Sequence, residues 1–412
     1  MTDPTPASHH AERALDGIKV LDVGTYIAGP AAATVMSDFG ADVIKVEAPG
    51  GDPYRELRRQ PGYPESEHNF AWLADSRNKR SIVLDLAQDA ARDILYRLVR
   101  EADVFVTNFP LPVRERLGIR HEDLGPLNER LIYASLTAYG EAGPEATRTG
   151  FDSTAWWARS GLMDLVKPAP DAAPARSIPG MGDHPTALAL YGAILTALYQ
   201  RERTGKGAHV TSSLMGCGAW SNAIYVQAAL AGAEIPRRPP REESPNALTN
   251  IYRCRDGHWF LLAGVNEERV WNRLCRAAER EELLDDPRFR TMAGRHANAG
   301  ELFGVLDQLF LGRDWPEWLE LMQTAGITFG VVNRVEEVRD DPQMRAAGVL
   351  VPFEDGPDEI ALTVDTPLWI RDQAKVPPRM APEVGEHTDE VLAELGCDPD
   401  TIRRLRAEGS VG

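Results

Sequence analysis

A strand-like run over Ile18–Val23 stops at Gly24, and strand character returns only at Asp42–Glu47. Between them, Gly29-Pro30 forms a second break and Ala31–Phe39 is alanine-rich and helical in composition. A strand, glycine turn, helix and strand in this order open a parallel sheet, because parallel neighbours need a crossover. The pattern continues with a strand over Ser81–Leu86, a helix from about Gln88 to Glu101, and strands at Asp103–Thr107 and Leu131–Leu136. One open, mostly parallel α/β sheet accounts for the first 140 residues or so.

Farther on, Leu188, Tyr191, Leu195 and Leu198 recur at helical spacing between Pro185 and Arg203, and Gly205 and Gly207 end that helix. Val210–Leu214 reads as a returning strand. The proline-rich stretch Gly232–Pro245 reads as an exposed linker. Asn250–Gly264 alternates around Asp256-Gly257 as a hairpin. Helices follow near Val270–Arg280, Glu301–Leu311 and from Trp318 to Gly326. The expected division is a polar, disordered tail over 1–12, a large domain over 13–225, a linker over 226–245, a smaller α+β domain over 246–330, and a return to the large domain over 331–412. That last part carries strands after Val349, a proline-rich crossing at Val376–Pro382 and a final helix, Thr388–Gly396.

The chain of 412 residues carries 62 acidic and 45 basic side chains, a formal charge of −17. Such a balance argues against phosphate-driven nucleic-acid binding, though not against a local basic pocket for a phosphorylated ligand. No apolar run reaches membrane-spanning length and no leader pattern opens the chain, so no membrane role and a cytoplasmic location are expected. The four cysteines, Cys217, Cys254, Cys275 and Cys397, lack metal-ligand spacing and read as reduced, buried thiols. The histidines form no metal motif, no G-x-S-x-G is present, and no metal is expected.

Three places carry possible chemistry. The turn from Gly24 to Gly29 lacks the central glycine of a dinucleotide fingerprint, so it reads as a turn packing a helix on the sheet. Arg77-Asn-Lys-Arg80 is either solvated surface or a phosphate anchor. Gly182-Asp183-His184-Pro185 places a carboxylate just before a long helix. Its simplest role is an N-cap, and the same helix end would favour the ionised carboxylate that a nucleophile requires. His184 is a possible neighbour of that centre.

Taken in order, the stretches Leu15–Asp22, Ala28–Pro30, Asp38–Glu47, Arg77–Ser81, Ala102–Phe109, Tyr139-Gly140, Arg159–Gly161, Gly182-Asp183, Arg203–Gly207, Asp341-Pro342 and Gly385–Leu392 resemble the family III CoA-transferases. That group includes formyl-CoA:oxalate and carnitine CoA-transferases and the α-methylacyl-CoA racemases. The resemblance implies a Rossmann-like large domain built from both chain ends, an inserted small domain and an interlocked homodimer. It implies coenzyme A, as an acyl-CoA substrate, with a small carboxylic acid as acceptor. Asp183 falls on the family's nucleophile, which becomes an acyl anhydride and then an aspartyl-CoA thioester. By the same matching Glu141 lies beside the centre, Lys79 and Arg80 approach the nucleotide phosphates, and Asn108, Phe109, Arg116 and Leu117 contact adenine and ribose. Backbone amides near Ala28 and Gly29 face the thioester.

Ile27 and Ala48 depart from the formyl-CoA enzyme, where glutamine and arginine stand, and a glycine-rich lid is absent over 232–248. Racemases carry Gly-His-Asp where this chain has Gly150-Phe151-Asp152, so one of two bases for proton exchange is missing. Transfer is therefore expected over a 2-methylacyl-CoA racemase or other acyl-CoA isomerase. A non-catalytic CoA-binding protein is the remaining alternative.

Overall fold

The computed structural model describes residues 13–412, and the expected tail over 1–12 lies outside the described residues. Six parallel strands form the central sheet: β1 (Lys19–Asp22), β2 (Asp42–Glu47), β3 (Arg80–Val83), β4 (Val104–Thr107), β5 (Ile132–Thr137) and β6 (Ala208–Ser213). Every residue of β4 and β5 is buried, as expected of strands covered on both faces. The order is β3-β2-β1-β4-β5-β6. Its direction reverses between β1 and β4, so their connections leave to opposite sides and open a crevice at the strands' carboxyl ends.

Helix α1 (Ala28–Asp38) follows β1 and is buried along its whole length. Gly29 and Pro30 lie inside its first turn rather than breaking the chain before it. Proline is tolerated there because first-turn N–H groups lack intrahelical acceptors. The helix Asp89–Glu101 follows β3, and the long helix Asp183–Thr204 leads into β6.

The chain divides into two compact units. The first runs to Leu162 and adds Arg176–Gln227 and Gln343–Gly412. Its C-terminal part brings Val391, Leu392, Ile402, Leu405 and Val411 into the same apolar core as Leu21, Ile82 and Phe105. Instead of one final helix there are two, Thr388–Glu394 and Pro399–Ala407. Asp398 caps the second by accepting from the Thr401 amide at 2.8 Å, with Pro399 at its first position. Among the described residues the short strands Leu350–Pro352 and Leu362–Val364 pair only with each other and stay out of the main sheet.

The second unit comprises Met163–Ala175 and Ala228–Pro342. It holds an antiparallel sheet of β7 (Thr249–Arg253), β8 (Trp259–Ala263) and β9 (Phe329–Val331) under helices. Tyr252, Phe260, Phe310 and Trp318 form its aromatic centre, with Phe260 edge-on to Phe310 at 4.8 Å. Cys254 and Cys275 are buried here, whereas Cys217 and Cys397 are only partly covered, so the expectation of four buried thiols holds for two.

At Gly207, before β6, a Cβ would stand 2.1 Å from the Leu131 carbonyl oxygen. Gly207→Ala is therefore expected to cost about 1–3 kcal/mol by forcing β5 and β6 apart. Urea unfolding reads this, and an unchanged midpoint would show that the close approach is dispensable.

Candidate active site

Beneath the crevice lies a buried ionic frame. Asp22, the last residue of β1, meets the Lys79 ammonium at 2.9 Å and that of Lys45 at 3.7 Å. Burial pushes the Asp22 carboxyl up, but the two ammonium groups outweigh it and its pKa is lowered. Lys45 reaches Asp52 at 2.9 Å and the Gly24 carbonyl at 2.5 Å. Asp52 accepts from the amides of Tyr26 and Tyr54. The turn after β1 is thus pinned from below, and from the side by Asn108, whose amide group bonds both Thr25 N–H and Thr25 C=O. Tyr26 is held at φ 59°, a left-handed conformation that a bulky residue adopts only when its surroundings impose it. Out of that turn α1 begins. Among the described residues neither the Ala28 nor the Gly29 N–H has an acceptor, so two helix-end donors face outward from the frame.

Asp183 opens the long helix next to this helix end. Gly180, three residues earlier, lies against Ile27, with 3.7 Å between a Cβ built at 180 and Ile27 Cδ1. The Gly182 amide donates to Asp152 Oδ2 at 3.1 Å, and a Cβ at 182 would strike Trp156 at 2.5 Å, so only glycine fits. Asp152 begins a π-helical turn, Asp152–Ala158, that carries Trp156. Phe151 packs edge-on against Tyr26 at 5.9 Å. Next to the nucleophile candidate, His184 Nε2 lies 2.9 Å from Asp75 Oδ1, while Tyr54 donates to Asp75 Oδ2 at 2.7 Å.

The N-cap reading of Asp183 is corrected here. Gly182 occupies the cap, and Asp183 is the first helical residue, with no capping bond from its side chain. Its carboxyl is not held ionised by the helix end. Burial, then the charge of Asp152, push it up to about 7, with His184 acting in the opposite sense.

The other expected site residues separate into two sets. Ala28, Gly29 and Asn108 gather at the crevice. Phe109 and Leu117 are partly buried against the core, and Arg116 is exposed on the helix Leu111–Leu117. Glu141 pairs with Arg114 and accepts from Ser135 at 2.7 Å, with His209 at 3.4 Å. Burial raises its carboxyl, but the Ser135 and Arg114 bonds prevail and its pKa is lowered. Lys79 and Arg80 do not fit the phosphate role. The Lys79 side chain is fully buried, and its three donors are taken by Asp22, Pro30 C=O and Asp75 C=O. Arg80 is held by Asp42, Glu390 and Glu394, whose charges would repel a phosphate. Asp75 and Tyr54 escaped sequence reasoning, and Asp152 entered it only within the Gly150-Phe151-Asp152 motif, not as the clamp on the Gly182 amide. Asp75 is 109 residues from His184, and no local pattern joins them. Among the described residues no cluster of three or more His, Cys, Asp or Glu could hold a metal. No described helix is long and apolar enough to cross a membrane.

A carboxylate and two helix amides that have no hydrogen-bond partner among the described residues, in the crevice of a parallel sheet, are suited to covalent acyl chemistry. The chain belongs to CoA-transferase family III, whose family model matches residues 15–388. It is an enzyme, a CoA-transferase. It is 31% identical to (R)-2-hydroxy-4-methylpentanoate CoA-transferase of Clostridioides difficile, covering 95% of this chain and 98% of that one. It is 33% identical to succinate–glutarate CoA-transferase of Agrobacterium fabrum, covering 95% and 96%. The crystal structure of a CAIB/BAIF family protein from Brucella suis superposes with a TM-score of 0.83 at 32% identity, over 93% of this chain and 100% of that one.

Two substitutions test this geometry. Lys79→Ala strips Asp22 of a buried partner and is expected to destabilise by about 3–5 kcal/mol in urea unfolding. A phosphate anchor would instead leave stability unchanged and raise KM for acyl-CoA. Asp183→Asn removes a carboxyl whose folded pKa, about 7, lies above the 3.8 of an ordinary aspartate. The folded state holds that proton more tightly, so wild-type stability from this group is lost as pH rises from about 4 through 7. The asparagine variant should melt higher than wild type at about pH 8, by an amount of order 1–4 kcal/mol, and converge with it near pH 4. Equal melting at both pH values would contradict the raised pKa.

Proposed function

We propose that this enzyme moves CoA from an acyl-CoA donor to a small carboxylic acid through covalent intermediates on Asp183. The observation that carries the proposal is the Asp183 carboxylate, which has no hydrogen-bond partner among the described residues and lies next to the open end of α1; the sequence resemblance supports it as the nucleophile. An Asp183 oxygen attacks the donor thioester carbonyl, the C–S bond breaks, and an acyl anhydride and CoA thiolate result. The thiolate then attacks the aspartyl carbonyl, releasing the donor acid and leaving an aspartyl-CoA thioester. The acceptor carboxylate attacks that thioester to form a second anhydride, and the thiolate takes the new acyl group and frees Asp183. The amides of Ala28 and Gly29 supply donors for the oxyanions of these steps, in place of the glutamine that Ile27 replaces.

For the nucleotide end, Asn108, Phe109, Arg116 and Leu117 remain the proposed contacts, with Arg116 the exposed cation among them. Glu141 lies in a separate ion-paired cluster, and its proposed part is to order the loop after β5. Relatives named for succinate, glutarate and (R)-2-hydroxy-4-methylpentanoate support a small acid as acceptor and succinyl-CoA as a candidate donor. The proposed assembly is a homodimer of interlocked subunits.

A racemase reading fares less well. Phe151 provides no base, and Asp152 is committed to the amides of Ser153 and Gly182.

Asp183→Ala should abolish transfer, assayed by mass spectrometry across a panel of donors and acids, while leaving the fold intact. More than about a tenth of wild-type turnover would remove the nucleophile assignment. Hydroxylamine added during turnover should label the peptide containing Asp183 only when donor is present, since an anhydride or thioester is electrophilic and a resting carboxylate is not. Rapid α-proton exchange of a 2-methylacyl-CoA in deuterated water would favour the racemase instead.

A further inference from the structure

Both ring nitrogens of His184 face oxygen acceptors. Nδ1 lies 3.0 Å from the Gly180 carbonyl and Nε2 lies 2.9 Å from Asp75 Oδ1. A carbonyl and an ionised carboxylate can only accept, and a neutral imidazole has a single N–H. Either neutral tautomer would set a nitrogen lone pair against an oxygen at hydrogen-bonding distance. The imidazolium alone satisfies both contacts.

Asp75 is built to hold that cation. Its second carboxylate oxygen takes the Tyr54 hydroxyl, and its backbone carbonyl accepts from Thr34 Oγ1 at 2.5 Å and Lys79 Nζ at 2.9 Å. With both oxygens occupied and the main chain anchored, the carboxylate keeps its place on the helix Phe70–Ser76.

We infer that His184 is an imidazolium at neutral pH whose fixed charge keeps the adjacent Asp183 carboxylate ionised for attack, making it a positioning residue of the transfer reaction. The inference rests on the proposed role of Asp183. The groups around Asp183 explain the need for such a charge. Asp152 faces it from the π-helical turn, Asp75 from the helix Phe70–Ser76, and Tyr54 from the turn Pro53–Arg59, with Asp52 behind. Two carboxylates and burial oppose ionisation, and His184 is the cation among these groups. Desolvation lowers the pKa of the half-exposed ring, but the bond to Asp75 and its charge raise it to about 9, so imidazolium and carboxylate coexist between about 7 and 9.

Sending both N–H groups to Gly180 and Asp75 has a further consequence. A direct imidazolium bond to Asp183 would occupy the lone pair that must attack the thioester. A charge held one residue away favours the anion through space and leaves both nucleophile oxygens open.

His184→Gln keeps a neutral donor for Asp75 and removes the charge. In the pH profile of kcat/KM, the acid limb of the variant should rise by about one to two units, so the rate at about pH 6.5 falls roughly 10- to 100-fold. Near pH 9 the variant should come within about threefold of wild type. A limb that stays in place while the rate falls equally at every pH would reduce His184 to a structural tie and overturn the inference. Nitrogen-15 spectra of histidine-labelled wild-type protein give a reading that does not depend on the variant's folding. Two protonated ring nitrogens on His184 at about pH 7.5 are expected, and a singly protonated neutral ring would overturn the inference. Transfer surviving in Asp183→Ala would defeat the nucleophile reading itself. An inactive Asp183→Ala beside an unmoved limb in His184→Gln would defeat only the role of His184.

Discussion

The contact of Asp22 with Lys79 and Lys45 is the constraint on which the rest of the crevice depends. A carboxylate and two ammonium groups, all with fully buried side chains, stand where β1 ends. Removing any one leaves an uncompensated charge in a low-dielectric interior, so the three positions are coupled. Through Lys45 the frame holds Gly24 and Asp52, and through Lys79 it holds the Pro30 carbonyl in the first turn of α1 and the Asp75 carbonyl. The same charges that close the core thus set the open end of α1 and the partner of His184.

Above that frame, the nucleophile candidate sits in opposing fields. The start of a helix favours an anion, but only within its first turn and by an amount that burial can exceed. Asp152 adds to the opposition because it must clamp the Gly182 amide to shape the turn. A carboxyl near the midpoint of its titration at neutral pH is the outcome. Such a group is less stable in the fold as an anion and correspondingly more reactive, a trade between stability and activity that recurs at functional sites.

Packing around the site explains several small residues. Trp156 presses on Gly182, and Asn108 fills the space between Gly24 and Gly29, where a Cβ would come within 3.1 and 3.3 Å of it. These contacts bring the π-helical turn, the turn after β1 and the start of the long helix together. Tyr26 in its left-handed conformation and exposed Phe151 close one side as an aromatic pair.

The sequence by itself determined the parallel sheet and the hairpin of the smaller unit, because strand periodicity and turn residues are local signals, and it singled out Gly182-Asp183 as the start of a long helix. Asp42–Glu47 is a strand with the expected bounds, and Asn250–Gly264 is a hairpin for the same reason. Local signals also left one run undecided. The basic run at Arg77–Arg80 could be read as surface or as an anion site because the acids that neutralise it, Asp22, Asp42, Glu390 and Glu394, lie far away in the chain. Only the tertiary structure decided that Lys79 is a buried strut, that Asp75 holds His184 and that Asp152 opposes Asp183. Charge interactions depend on distance and burial in space, and neither quantity is written in the order of residues.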